Sequence, residues 1–314
     1  MSDLRVTSHL TDTDVATTLR LVRAATDEDG ASPLSEHVML HLRYGGDPFA
    51  RSFLLFSENQ LAGYAHLDPT DPVQGPSAEL VVHPAFRHRG LGLELLKAID
   101  ARAGQASDHP LRLWAHGDLP AAARLAETAG FARIRALWQM RRSLQSRIDR
   151  PQLADGVSVR TFVPGQDEDA WTALNRRAFA GHPEQGTWTR ADLELREREP
   201  WFDPGGFFLA ERAGKLAGFH WTKIHGQDDS ADHRRGDGRH HEPMGEVYVV
   251  GVDPGERGSG LGRALTLVGL RYLSSRGLFQ VMLYVDETNT AAIRMYESLG
   301  FSHWGTDVMY AAGR

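Results

Sequence analysis

The stretch EVYVVGVDPGERGSGLG, residues 246–262, decides the fold of this 314-residue chain. Its first seven residues are β-branched or aromatic apart from Glu246 and Gly251, which predicts a strand. Pro254, which has no N–H to give to a ladder, closes that strand. Beyond the glycines, Leu261, Leu265, Val268 and Tyr272 recur at helical spacing, so a helix starts at the loop. Gly260 and Gly262 are expected to take backbone angles closed to other residues and to let a ligand approach the main chain. The free N–H groups and positive dipole end of such a helix suit a pyrophosphate, with Arg257 and Arg263 adding charge-assisted contacts. No Gly-Lys-Ser/Thr follows, which excludes a Walker loop, and Leu265 stands where a dinucleotide fingerprint needs its third glycine. A glycine turn opening a helix is, alone, as often structural as functional.

The turn is not alone. LVVHPAFRHRGLGLELL, residues 80–96, repeats the pattern at a shift of 170 positions, aligning Pro84 with Pro254, Arg87 with Arg257, Gly90 with Gly260 and Gly92 with Gly262. The same shift aligns Gly130-Phe131 with Gly300-Phe301. Upstream, LAGYAHL from Leu61 matches LAGFHWT from Leu216 at a shift of 155, so the second copy carries about 15 extra residues within His225–Met244. A duplicated domain follows. The polar stretch from Arg141 to Gly156 reads as the linker, giving domains 1–147 and 155–314. In both copies two strands are joined by a tight turn, at Glu58-Asn59 or Ala213-Gly214, ahead of the strand–loop–helix unit. A further strand (FQVMLYV in the second copy) and a helix from about Thr290 that Gly300 terminates complete a mixed α/β layer fold.

Composition narrows the function classes. With 41% hydrophobic and 24% charged residues the chain is of ordinary globular type, and no apolar run approaches the ~20 residues that span a bilayer. Cysteine is absent, excluding disulfides, thiolate metal sites and a cysteine nucleophile. A net charge of −6 argues against nucleic-acid binding. The N-terminus lacks a basic segment followed by an apolar one, so a cytoplasmic monomer without membrane partners is expected.

Arg-x-x-Gly-x-Gly after a strand, followed by a strand and an Asn-x-x-Ala-x-x-x-Tyr helix ending in Gly-Phe, resembles the GNAT acetyltransferase superfamily. In the second copy the matching residues are Arg257, Gly260, Gly262, Asn289, Ala292, Tyr296, Gly300 and Phe301. The resemblance covers both halves. It implies two tandem folds, each a mixed, mostly antiparallel sheet flanked by helices, with a splayed central strand. It also implies acetyl-CoA as cosubstrate, one per domain. Pantetheine would lie along Val250, Gly251 and Val252, and the pyrophosphate in the loop Arg257, Gly258, Ser259, Gly260, Leu261, Gly262 and Arg263, with Asn289, Ala292 and Arg294 nearby. The first copy would use Leu80, Val81 and Val82, then Arg87, His88, Arg89, Gly90, Leu91 and Gly92.

Direct acetyl transfer requires a neutral amine, a polarised carbonyl and a proton for the departing thiolate. An α-amine titrates near ~7.7–8, so deprotonation at pH 7 costs about 1 kcal/mol, against roughly 4.6 kcal/mol for a lysine amine. A carboxylate base suffices for the first. Glu246, at the start of the strand leading to the loop, is the candidate base; Tyr296, as the matching tyrosine does in the family, is the candidate acid. A backbone N–H near Val250 would polarise the carbonyl. The shift of 170 sets Pro76 against Glu246, Ala126 against Tyr296 and Leu119 against Asn289. The first copy keeps the phosphate loop and lacks the proton-transfer groups, so it is expected to bind cofactor without catalysing.

The tandem arrangement, GEVYVVGVDP, HPEQG and an early SEHVMLH resemble a branch that acetylates the cysteinyl amine of a cysteine–glucosamine–inositol conjugate. That resemblance implies substrate contacts from Glu36, Glu184, Lys223 and Glu246, with Tyr284 a further candidate; Trp114 occupies its place in the first copy. Other amines, and a non-catalytic acetyl-CoA sensor, remain as alternatives. His225, His233, His240 and His241 have no spacing that defines a tetrahedral metal site, so no metal is expected and a mobile loop over the substrate mouth is preferred.

Overall fold

The computed structural model describes residues 2–45, 48–71, 74–181, 185–226 and 243–312. The chain forms β1 (Ser2–Thr7), α1 (Asp12–Asp29), α2 (Glu36–Tyr44), β2 (Arg51–Ser57), β3 (Gln60–Asp68), β4 (Ser77–Val82), α3 (Leu91–Ala106), β5 (Arg112–Ala115), α4 (Pro120–Thr128) and β6 (Phe131–Ser143). There follow β7 (Val157–Thr161), α5 (Glu168–Ala178), α6 (Arg190–Glu197), β8 (Phe207–Arg212), β9 (Lys215–His225), β10 (Met244–Val252), α7 (Leu261–Ser275), β11 (Gln280–Asp286), α8 (Thr290–Ser298) and β12 (Ser302–Ala312). Among the described residues no helix is long and apolar enough to cross a membrane.

These elements make two compact units, one of Met1–Trp138 with Gly305–Arg314, the other of Gln139–Trp304. The division is not sequential. Arg141–Ser143, expected to open a linker, are strand and belong to β6. The end of the chain completes the first unit: Val308, Met309, Tyr310 and Ala311 pair antiparallel with Ala115, Trp114, Leu113 and Arg112 of β5. The physical reason is burial. Val308 and Tyr310 pack among the core residues of the first unit, with Leu95, Leu96 and Ile99 of α3.

In the first unit β1, β2, β3 and β4 are antiparallel neighbours, and β4 runs parallel to β5. One sheet face carries α3 and α4; the other carries α1 and α2 through Leu21, Val22, Ala25, Val38 and Leu42. The second unit repeats this plan with β7, β8, β9 and β10 antiparallel and β10 parallel to β11. Trp171, Leu174 and Leu193 of α5 and α6 cover one face, and Leu261 and Leu265 of α7 the other. Trp171 is fully buried within 5.3–5.9 Å of the rings of Phe219, Phe207 and Trp221. Truncating such a side chain to alanine costs about 3–5 kcal/mol.

Local chemistry explains the element ends. Thr11 and Asp14 form a reciprocal capping box at α1, and Thr189 and Asp192 one at α6. The β2–β3 turn has φ of 54° and 60° at Glu58 and Asn59; the β8–β9 turn has 49° and 72° at Ala213 and Gly214. Two successive positive φ angles match the right-handed twist of the flanking strands, so both hairpins close as expected.

Candidate active site

The second unit builds its site where two parallel strands part. β10 pairs with β11 only over Gly245, Glu246 and Val247, whereas its pairing with β9 continues to Val252. A register shift between Val247 and Val249 marks a bulge at the parting point, a device that bends one strand away from its neighbour. The edge of β10 beyond Val247 is thus open to an extended ligand. β4 does the same in the first unit, pairing with β5 over Ser77, Ala78 and Glu79 and with β3 as far as Val82.

The loop after β10 makes a short 3₁₀ turn, Pro254–Glu256, and then presents the N-terminus of α7. Gly258 and Gly260 have φ of 81° and 80°, in the left-handed region that favours glycine. Gly262 does not share this strain. It lies in the first turn of α7, where an added Cβ would make an ordinary 3.6 Å contact with Val252. α1, α2, α6 and α8 are capped by side chains of Thr11, Ser35, Thr189 and Asn289. Gly260 gives α7 no side-chain cap, and Gly90 gives α3 none. The Leu261 N–H reaches the Ser259 hydroxyl at 3.4 Å and the Leu93 N–H the Gly90 carbonyl at 3.1 Å, and the other first-turn N–H groups have no side-chain cap, which is the condition for holding an anion.

The first unit copies this backbone. Gly90 has φ of 81°, and His88 holds 61° where the second unit has Gly258. The side chains differ. Arg87 is held in a two-point pair by Asp29 at 2.7 Å and donates to the Val82 carbonyl, whereas Arg257 makes one 3.3 Å bond to the Ala178 carbonyl. Arg89 pairs with Glu58 at 3.0 Å, and Arg263 donates to Ser298 at 2.6 Å.

Glu246 is buried on β10 as the register partner of Lys223 on β9 and Met282 on β11. The Lys223 Nζ lies 4.3 Å from the Trp201 ring centre and 5.3 Å from that of Tyr248, a cation over two aromatic faces. His225, which sequence reasoning weighed only as a metal ligand, brings Nε2 to 2.7 Å from Glu246 Oε2. Tyr296 is buried on α8 with its ring 5.7 Å from Phe301, and burial pushes its phenol up to about 12. The phenol therefore keeps its proton at any physiological pH. Asn289 is the N-cap of α8, accepting from the Ala292 N–H at 3.2 Å.

Tyr284 is 41% exposed and accepts a 2.8 Å bond from Gln139, a neighbour with no motif to announce it. Glu36 opens α2 in the first unit, while Glu184, His233, His240 and His241 lie outside the described residues. The structure therefore gathers Glu246, Lys223 and His225 on β9 and β10, and sets Tyr284 and Tyr296 on β11 and α8. The strand registers, with the extra residue at the β10 bulge, set Ser77 rather than the expected Pro76 at the position of Glu246, and Asp68 at that of Lys223. Ala126 lies on α4 and Leu119 caps α4 without a side-chain bond, so the first unit has no carboxylate at the Glu246 position and no phenol at the Tyr296 position.

A family profile described as Acetyltransferase (GNAT) family matches residues 19–131 and 169–301. A mycothiol acetyltransferase of Thermobispora bispora is 60% identical over 307 residues, spanning 98% of this chain and 99% of that protein. A mycothiol acetyltransferase of Acidothermus cellulolyticus is 62% identical over 296 residues, covering 93% of this chain and 89% of the relative. Among solved structures, a tandem GNAT protein from the clavulanic acid biosynthesis pathway superposes with a TM-score of 0.73 at 20% identity, over 100% of this chain and 99% of that one. At that identity the likeness concerns the fold.

Proposed function

The chain belongs to the acetyltransferase (GNAT) family, and from that premise we propose that it makes mycothiol, moving the acetyl group of acetyl-CoA to the cysteinyl amine of a cysteine–glucosamine–inositol conjugate. This is the last step of mycothiol biosynthesis. The observation that carries the reading is the place of Glu246: a buried carboxylate on β10 at the last residues paired with β11, just before the strands part.

Acetyl-CoA lies with its pantetheine along Val250, Gly251 and Val252 and its pyrophosphate at the uncapped start of α7. Glu246 takes a proton from the substrate ammonium, directly or through one water. The neutral nitrogen attacks the thioester carbonyl, whose oxygen is stabilised by a backbone N–H near Val250. As the carbon–sulfur bond breaks, Tyr296 gives its proton to the coenzyme A thiolate, and the second proton that the attacking nitrogen must lose passes through solvent to restore the phenol. The products are the amide and free coenzyme A, and the proton held by Glu246 returns to solvent. Glu184, Lys223 and Tyr284 contact the conjugate. A second acetyl-CoA binds at the start of α3, supported by the equal φ of Gly90 and Gly260.

Acetyl-CoA consumption measured with the cysteinyl conjugate, with the glucosamine–inositol lacking cysteine and with a panel of peptide amines tests the assignment. Turnover of the cysteinyl conjugate well above the others is expected; an inert conjugate beside an active peptide overturns it.

A further inference from the structure

His225 is the last residue of β9, and the register Met244–His225, Gly245–Ile224, Glu246–Lys223 sets it diagonal to Glu246 on the same sheet face. Diagonal neighbours across an antiparallel pair are within reach of long side chains. Here the His225 Nε2 lies 2.7 Å from Glu246 Oε2. A carboxylate can only accept, so Nε2 carries the hydrogen. The two side chains differ sharply in exposure: 37% for His225 against 8% for Glu246.

We propose that His225 is the positioning residue of the base. By donating to Oε2 it stops the carboxylate from turning about its last torsion and leaves Oε1 to face the amine or its bridging water. A base must present its lone pair within hydrogen-bond reach of the proton it removes. A buried carboxylate bound at one oxygen does so without reordering at each turnover. The imidazole touches neither the thioester nor the reacting nitrogen; it acts through Glu246. The inference rests on the reading of Glu246 as base.

The test uses the full-length enzyme, acetyl-CoA and the cysteinyl conjugate, with His225→Ala, His225→Gln, Glu246→Gln and the double variant His225→Ala/Glu246→Gln. His225→Ala is expected to lower kcat roughly 10- to 10²-fold, the scale of a misplaced catalytic group, with both KM values nearly unchanged. His225→Gln, whose amide can donate from a similar position, is expected to recover most of that loss. The double variant is expected to be no slower than Glu246→Gln. Wild-type kcat in His225→Ala, or a double variant slowed by the full His225→Ala factor, overturns the proposal. Should His225→Ala fail to fold, His225→Phe keeps the ring volume without a donor and carries the same expectations. A fully active Glu246→Gln would instead overturn the base assignment, so the two failures are told apart.

Discussion

His116 and Asp307 are 191 residues apart in sequence, and their Nδ1 and Oδ2 atoms lie 2.9 Å apart. Asp307, on β12, also accepts from the Gly117 N–H at 2.9 Å, and the other face of the imidazole meets Glu79 at 3.7 Å. Glu79 in turn accepts a 2.6 Å bond from the Ser35 N–H at the start of α2. His116, set between the half-buried Asp307 and the buried Glu79, thus ties the last strand of the chain, β4, β5 and α2 into the first unit. That ion cluster fills the sheet face that in the second unit carries Glu246 and Lys223.

The cluster sets a pH dependence of stability. Burial alone would lower the His116 value, but hydrogen bonds and charge from Asp307 and Glu79 outweigh it and push it up to about 10. A folded value above the unfolded one, near ~6.5, means stability that is fully present below the unfolded value and lost as pH rises through the folded one. His66 and His220 behave oppositely, pushed down to about 4, chiefly by burial. Their contribution is present above ~6.5 and lost as pH falls toward 4. Denaturant midpoints should fall on both sides of neutrality, and His116→Gln should flatten the alkaline limb alone. An unchanged alkaline limb in that variant would count against the charged imidazole.

Removing Asp307 leaves the half-buried His116 with one distant partner, so Asp307→Ala should destabilise the first unit, by less than the about 3–5 kcal/mol that breaking a fully buried pair costs. A chain ending at Trp304 also loses Val308 and Tyr310 from the core. Native-state hydrogen exchange should show protection lost in β5 and α3 and retained in β8 and β9. Equal loss in both units would mean that β12 is not specific to the first.

How much of this was readable in the residues depends on range. Gly260, both hairpin turns and Gly300 at the end of α8 are local devices, and each stands where the pattern indicated. The placement of β12 is not local. β6 and β12 are both long, amphipathic strands at the end of a copy, and nothing in their alternation states which neighbour each will take. Glu79, His116 and Asp307 carry no motif and acquire their function only through that pairing. His225 was visible as a histidine but not as a partner, because its meaning comes from the register that sets it diagonal to Glu246. Gly262 was given a backbone reason that Gly258 and Gly260 supply instead.

Glu246→Gln and Tyr296→Phe should each lower kcat roughly 10²-fold or more, the usual scale of acid–base assistance. Because burial pushes Tyr296 up to about 12, the phenol keeps its proton across the working range. The wild-type rate should therefore show no loss from tyrosine ionisation below about pH 10. A kcat profile that falls between pH 8 and 9 through loss of a proton from Tyr296, and that straightens in Tyr296→Phe, would contradict this environment.

Gly90 and Gly260 offer a comparison free of packing effects. Each has φ near +80°, at 81° and 80°, and a Cβ added to either would meet nothing within 4 Å. Alanine at either site therefore imposes the same backbone cost, about 1–2 kcal/mol, and no collision. Any further difference between the variants reports what each loop holds. Gly260→Ala should lower turnover and weaken acetyl-CoA binding at the second unit. Gly90→Ala should leave kcat near wild type while removing or weakening one of two binding events seen by calorimetry. A single binding event in the wild type would show that the first loop keeps the shape of a phosphate site without its ligand; equal losses of kcat from both variants would show that the two units share the chemistry.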